Sequence, residues 1–291
     1  MPLVGICVVM RVSIITPTWN RCATLEQTFR SVESQHLKPH QHIVVDNLSH
    51  DETPEVVQQY ANRAPFEVIH LRENDSGIYD AMNKGAKIAE GEALYFLNDD
   101  DQLLDTDSLE LLAKCVSLAP DGVAFADVVV RNPKTGLAKV RNHRQMNRLT
   151  LAEKSICQQA TLYSRQAIEK VGPFDSSLKA AGDYDWMIRA LMRHHLPAVY
   201  LRRAVAVFSE GGISSDPAHA VEFRGEMDSV ASRYFSSEIR ERAQRYRRFW
   251  RKIPFGLRCC PGSQPEDRLH IASRITIGNQ FSQDPLSLLD F

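Results

Sequence analysis

Leu94–Leu103 reads LYFLNDDDQL. An apolar run stops at Asn98, and three aspartates follow it: Asp99, Asp100 and Asp101. Carboxylates this close repel one another unless a cation or water lies among them. The run before them is continuous rather than alternating, as expected of a strand buried on both faces. The acids therefore stand where a buried strand ends. Hard oxygen ligands on a tight turn suit Mg²⁺ or Mn²⁺, with substrate phosphate oxygens completing the shell. A solvated acidic loop that also caps the next helix is the alternative, and the rest of the chain has to choose between them.

Upstream, the same pattern repeats. Val12–Thr16 is a β-branched run halted by Pro17, and Leu25, Phe29 and Val32 then recur at helical spacing. His42–Asp46 is a second strand ending in an acid. Thr53-Pro54-Glu55 reads as a helix start, with threonine as N-cap and proline at the first helical position. Glu67–Leu71 is a third strand. From Ile78 onward Ala81, Met82, Gly85, Ile88 and Ala89 share one helical face. A helix follows the aspartates near Asp107–Leu118. This alternation predicts an α/β fold, a Rossmann-like, mostly parallel sheet with helices on both faces. Ligands of such sheets bind beyond the carboxyl ends of the strands. Polar clusters stand at three of those ends: Thr16–Arg21, Asp46–Asp51 and Asn98–Asp101. They are expected to converge.

After residue 120 the rhythm changes. Val123–Val130 and Leu137–Arg141 flank a loop with hairpin chemistry. Ala160–Tyr163, a short helix Arg165–Val171, a helical stripe from Tyr184 to Met192, and the runs Ala198–Leu201 and Ala204–Phe208 follow. The second half reads as mixed and partly antiparallel. From Pro217 the chain reads as helix, and Arg233–Arg258 carries nine Lys/Arg against two Glu among interleaved aromatics. The last thirty residues read as loosely packed.

With 291 residues and a net charge of -1, composition is that of an ordinary globular chain and gives no sign of a polyanionic partner. No apolar stretch is long enough to span a membrane, and the N-terminus lacks the basic region of a signal peptide. Met10 reads as a start, so residues 1–9 carry little weight. Cys7, Cys22, Cys115, Cys157, Cys259 and Cys260 show no zinc spacing and read as reduced thiols; the Cys259-Cys260 pair also fits lipidation.

The segments VSIITPTWNR, VVDNLSHDET, ENDSGIYDAMNKGAKIAEGEALYFLNDDD and AGDYDWMIRAL together resemble the four sequential signatures of family 2 glycosyltransferases. The resemblance covers roughly Val12–Ser215, and SGIYDAMNKG with VFSEGGIS is similar to the branch that builds bacterial surface polysaccharides. It implies an A-type glycosyltransferase fold spanning residues 1–216. Residues of about 10–120 would bind the nucleotide sugar and 121–216 the acceptor, with 217–291 a helical, basic and aromatic extension. It implies an inverting transfer from a nucleotide-diphosphate sugar.

The resemblance also assigns roles. Thr16, Pro17 and Thr18 would lead the extended chain past base and ribose, with Asn20 and Arg21 adding contacts. Asp46 would accept a hydrogen bond from the pyrimidine ring, followed by the loop of Asn47, Ser49 and Asp51. Ser76 and Gly77 open a helix whose N-terminus attracts phosphate or sugar hydroxyls, and Asn83 and Lys84 would face the donor. The family's Asp-x-Asp reads Asn98-Asp99-Asp100 here, so the first acid is an amide. Asp100 matches the metal-ligand position, with Asp99 or Asp101 assisting, for a divalent cation, Mn²⁺ or Mg²⁺. Asp183 aligns with the catalytic base, and Gly182 replaces the usual preceding glutamate. Read from the residues alone, Asp183 is equally an N-cap. Asp185 would orient Asp183 or the acceptor, and Trp186 would stack on a sugar ring or pack in the core. No metal-binding histidine stands near Ser209–Gly212, and His194 and His195 read as surface residues.

The acceptor is then a saccharide or lipid-linked saccharide, and the enzyme cytoplasmic. Its basic segment 233–258 reads as a solvated helix face or as a peripheral contact on the inner face of the plasma membrane; nucleic acid is not a partner. A sugar-phosphate nucleotidyltransferase would need a glycine-rich basic loop after the first strand, and a dinucleotide oxidoreductase a G-x-G-x-x-G; PTWNRCATL supplies neither. A sugar-nucleotide-binding subunit without activity is the remaining rival, opposed by the presence of Asp100 and Asp183.

Overall fold

The computed structural model of the chain describes residues 10–144, 146–211, 220–252 and 271–275. The first 120 residues alternate as the sequence predicts. Strand β1 (Val12–Thr18) leads to α1 (Cys22–Glu33), β2 (Gln41–Asp46) to α2 (Thr53–Arg63), β3 (Glu67–Arg72) to α3 (Ile78–Ile88), and β4 (Ala93–Phe96) to a two-residue β5 (Gln102–Leu103) and α4 (Ser108–Val116). Next come β6 (Val123–Arg131), β7 (Ala138–Arg141), a one-turn α5 (Arg148–Leu151), β8 (Thr161–Ser164), α6 (Arg165–Val171) and α7 (Gly182–Ile188). The chain closes with β9 (Ala198–Ser209), α8 (Ala220–Tyr234), α9 (Ser237–Lys252) and β10 (Ile271–Ile275).

Ten strands form one sheet in the order β10-β9-β6-β8-β4-β1-β2-β3, with β5 on β9 and β7 on β6. β1 pairs in parallel with β2 and β4, while β8 runs antiparallel between β4 and β6. Two antiparallel steps restore direction, so the C-terminal ends of β1, β2, β4, β6 and β9 all reach one edge. The polar clusters lie on that edge. Burial explains why: β1, β2 and β4 are buried along their whole length, and such strands can expose polar groups only where they leave the sheet.

Two cores flank the sheet. One packs Ile15, Phe96, Phe125 and Tyr163 under α3 and α7; the other packs Ile14, Tyr95 and Ala126 under α4. Gly85 sets how close α3 comes to the sheet, since a Cβ there would stand 2.5 Å from Ile15 Cγ2.

Several expectations are corrected. The two runs expected over Ala198–Phe208 are one strand, β9, whose pairing with β6 shifts register around Asp127. Helix α2 begins after Glu52 and not with Thr53 as its cap; Thr53 Oγ1 accepts instead from the Arg21 N–H, 3.1 Å away. The striped helix ends as α-helix at Ile188 and continues as one wide turn, Arg189–Arg193. Part of the C-terminal stretch expected to pack loosely, Ile271–Ile275, forms a strand along β9, which offers an open parallel edge. Residues 1–9, 212–219 and 253–260, with Cys7, Gly212, Cys259 and Cys260, lie outside the described residues.

Candidate active site

The three exit loops are laced together. Asn20 N–H donates to Ser49 Oγ (2.8 Å), and His50 N–H donates to Asn20 Oδ1 (2.8 Å). Cys22 N–H reaches Asp51 Oδ2 (3.2 Å), and Asn47 Oδ1 accepts from Asp75 N–H (2.9 Å). Asp101 ties the acidic turn inward: its backbone carbonyl accepts from Thr28 Oγ1 and its Oδ1 from Ser209 N–H, each at 2.8 Å. The turn is thus pinned to α1 on one side and to the end of β9 on the other.

Burial governs the acids. It pushes Asp99 up to about 7, with Asp100 adding repulsion, while Thr18, the Trp19 backbone and Arg21 pull the other way. Burial raises Asp100, against Arg21. Burial and Asp100 raise Asp101 well above the carboxylate range. Three buried polar atoms here lack a well-aligned partner: Thr18 Oγ1, Asn98 Oδ1 and Asp101 Oδ2. Buried polar atoms without partners are rare and call for an explanation. An all-oxygen donor set of raised acids and orphaned oxygens fits a hard divalent cation with diphosphate oxygens and water completing its shell. No three His, Cys, Asp or Glu side chains among the described residues form a complete cage by themselves.

Asp183 lies across the crevice, in the first turn of α7. It is not the cap: the N-cap position is Ala181, and no side chain of α7 caps its own helix. The capping comes from α8, where the Glu226 carboxylate accepts from the N–H groups of Lys179, Ala180 and Ala181 at 2.8, 2.7 and 2.8 Å. Asp183 Oδ1 accepts from Tyr79 OH at 3.1 Å. Burial pushes Asp183 up to about 6; the Tyr184 N–H and the Tyr79 hydroxyl oppose this, and the charge of Glu226 adds to it. Gly182 makes room for Tyr79, since a Cβ there would lie 2.7 Å from the tyrosine ring.

One buried side chain lies within electrostatic reach of both acid groups. The Cys157 thiol, in the loop before β8, is raised by burial and feels the charges of both Asp101 and Asp183, with Arg141 acting oppositely.

Some expected residues serve the protein itself. Thr16 is buried, its hydroxyl 2.9 Å from His42 Nε2. Pro17 is likewise buried in β1. Asp46 has no exposed oxygen: Oδ1 accepts from Ser49 N–H, and Oδ2 meets Arg72 Nε at 3.0 Å. Arg72 rather than Asp46 therefore stands at the surface of this corner. The Asn83 amide exchanges two 2.9 Å bonds with the Phe174 backbone, and Lys84 is tied to Asn74 O, Glu73 and Asp80. Ser76 donates to Asp80, and Gly77 begins α3 at φ 140. Asp185 binds Arg189 and Tyr234 at 2.8 and 2.7 Å. Trp186 is fully buried, its indole N–H on Gly172 O and its ring edge-on to Tyr163, so it offers no face to a sugar. Both acceptor assignments are thereby corrected to packing roles.

Sequence reasoning missed Trp19, Tyr79 and Glu226. Trp19 is 58% exposed, and its backbone N–H is directed to Asp99. Tyr79 was signalled only by Gly182, the missing side chain opposite it. Glu226 had no signal, because it acts across a long chain separation.

The fold is a mixed α/β sheet with acidic groups gathered where its parallel strands end. The family model "Glycosyl transferase family 2" matches residues 13–172. A PGL/p-HBAD biosynthesis glycosyltransferase of Mycobacterium tuberculosis is 32% identical over 205 residues, 70% of this chain and 78% of that protein. Glycosyltransferase AglE of Haloferax volcanii is 28% identical over 190 residues, 62% and 60% of the two chains. Among solved structures, S. aureus TarS in complex with UDP-GlcNAc has TM-score 0.61 at 20% identity, covering 85% and 77%. The mannosyltransferase PcManGT of Pyrobaculum calidifontis with GDP-Man and Mn²⁺ has TM-score 0.63 at 19% identity, covering 81% and 69%. The chain belongs to glycosyl transferase family 2. It is a glycosyltransferase with the A-type fold.

Proposed function

We propose that the protein moves a sugar, with inversion, from a nucleotide-diphosphate donor to a hydroxyl of a saccharide or lipid-linked saccharide, in polysaccharide assembly. The observation that supports this reading is that Asp101, in the acidic turn after β4, and Asp183, on α7, both act electrostatically on the Cys157 thiol. Asp183 takes the proton of the acceptor hydroxyl, whose oxygen then forms a bond to the anomeric carbon. The bond from that carbon to the diphosphate oxygen breaks, and its electron pair leaves with the nucleotide. Tyr79 OH holds the base in place.

Asp100, with Asp99 and the free oxygen of Asp101, would hold a divalent ion, which supplies Lewis-acid neutralisation of the departing diphosphate. Thr18, Asn98 and Arg21 would meet the donor from the other side, and the Trp19 ring its base. The same reading places the enzyme on the cytoplasmic side and gives α9 a contact with an anionic membrane. Arg245 and Arg248 are exposed there, while Ala243 is buried against the domain. No helix among the described residues is long and apolar enough to cross a membrane. The solved neighbours carry UDP-GlcNAc and GDP-Man, so uridine and guanosine donors come first.

A thermal-shift series with UDP-, GDP- and dTDP-sugars tests the donor site. One donor with Mn²⁺ should raise Tm by several degrees, since a ligand selective for the folded state stabilises it. Asp100→Asn should abolish the Mn²⁺-dependent part. No shift with any donor, or an unchanged Mn²⁺ effect in Asp100→Asn, would overturn the assignment.

A further inference from the structure

The chain enters β8 through one tight turn, Gln158–Ala160, whose two glutamines are each 5% exposed. β8 runs antiparallel to β4 with Tyr95 opposite Leu162, so this turn stands beside the end of β4, where Asn98 opens the acidic turn. Gln159 is engaged by the protein. Its amide oxygen accepts from the Cys157 thiol at 3.4 Å, and its backbone carbonyl accepts from Tyr95 OH. Gln158 is not engaged in this way. The one partner of its side chain among the described residues is Met82 Sδ, 3.2 Å from Nε2. A thioether is a weak acceptor, and the Gln158 amide oxygen has no donor among the described residues. A buried amide this poorly partnered calls for an explanation.

Its position supplies one. Met82 follows Tyr79 by three residues on α3, and residues so spaced are neighbours on a helix surface. Tyr79 OH in turn holds Asp183. The residue before Gln158 is Cys157, whose thiol feels the charges of both Asp101 and Asp183. The segment carrying Gln158 is therefore within reach of the acidic turn on one side and of the proposed base on the other. In an inverting displacement the attacking and leaving oxygens stand on opposite sides of the anomeric carbon. The sugar ring occupies the interval between base and diphosphate.

We propose that Gln158 is a specificity residue of the donor-sugar subsite, its amide oxygen accepting from, and its amide N–H donating to, ring hydroxyls of the transferred sugar. The inference rests on the donor and base assignments above. A sugar hydroxyl supplies the donor that the amide oxygen lacks, and a sugar oxygen is a better acceptor for Nε2 than the thioether. A site built to bond a hydroxyl rejects the sugar that does not present it there, because a buried polar group is then left unpaired.

Calorimetry on the full chain with Mn²⁺ tests this. The probes are UDP and GDP alone, then the epimer pairs UDP-glucose and UDP-galactose, UDP-GlcNAc and UDP-GalNAc, and GDP-mannose and GDP-glucose. Gln158→Met and Gln158→Leu both keep apolar bulk beside Met82 and remove the amide. The parent should prefer one sugar over its epimer, and in both variants that sugar should bind about tenfold more weakly, the loss of one hydrogen bond. The epimer and the bare nucleotide should stay within about twofold of the parent, so that the preference collapses. A glutamine with only a structural role would weaken bare nucleotide and both sugars together, and that result would overturn the proposal. An unchanged preference in the variants, or a parent indifferent to the epimers, would overturn it as well. Failure of UDP and GDP alike to bind the parent would overturn the donor assignment itself, and this subsite with it.

Discussion

At the scale of single residues, the proposed base Asp183 is set by what surrounds it. A base must be ionised to accept a proton, so activity should rise through an acid limb near pH 6, where burial has placed this carboxyl. Tyr79 OH favours the charged form. Its removal in Tyr79→Phe should move the limb of kcat/KM to higher pH, because the folded-state pKa rises when a stabiliser of the carboxylate is lost. A fall in kcat of about tenfold would accompany this, with KM for the donor unchanged; an unmoved limb would show that the 3.1 Å contact does not reach the base. Trp19→Ala addresses the other wall. Stacking on an open ring is worth about 1 kcal/mol beyond burial, so donor affinity should weaken by at least fivefold while kcat at saturation holds; equal affinity would leave the ring a bystander.

The secondary elements show why some of this was readable and some was not. Strands β1, β2 and β4 were legible because continuous apolar runs between helical stripes have one cheap solution, a covered parallel sheet, and that sheet fixes which ends come together. The same sheet fixes where the acidic turn stands, at the end of β4. Trp186 was not: whether an aromatic near a site faces sugar or core depends on what packs over it, here Tyr163 and the Gly172 carbonyl. Asp46 was misjudged because its partner Arg72 sits on the next strand over. Helix α8 matters most at this scale. It clasps α7 through Glu226 at one end and through Tyr234 on Asp185 further along. Glu226→Gln removes a charge that raises Asp183, so the acid limb should shift to lower pH, opposite to Tyr79→Phe. The weakened cap should also cost about 1 kcal/mol of stability, read as a Tm lowered by a few degrees. A limb moving upward would contradict the electrostatic role of α8.

For the molecule as a whole, α8, α9 and β10 are built into the same fold as the candidate site. α8 and α9 pack into the core that carries the base helix, through Val230, Phe235 and Ala243, and β10 continues the sheet. Truncation after Ser209 should therefore abolish transfer and soluble expression together, whereas a separable tail would leave the donor-binding Tm shift intact. The central claim is that Asp183 acts chemically on a donor gripped from the opposite side of the same crevice. Transfer by Asp183→Asn at saturating donor and Mn²⁺, with donor affinity measured in parallel, tests it most directly. The expected result is a rate lower by about a thousandfold, within the range that general-base loss produces, with donor affinity within twofold of the parent. A rate near the parent's, or a loss explained by failure to bind donor, would contradict it.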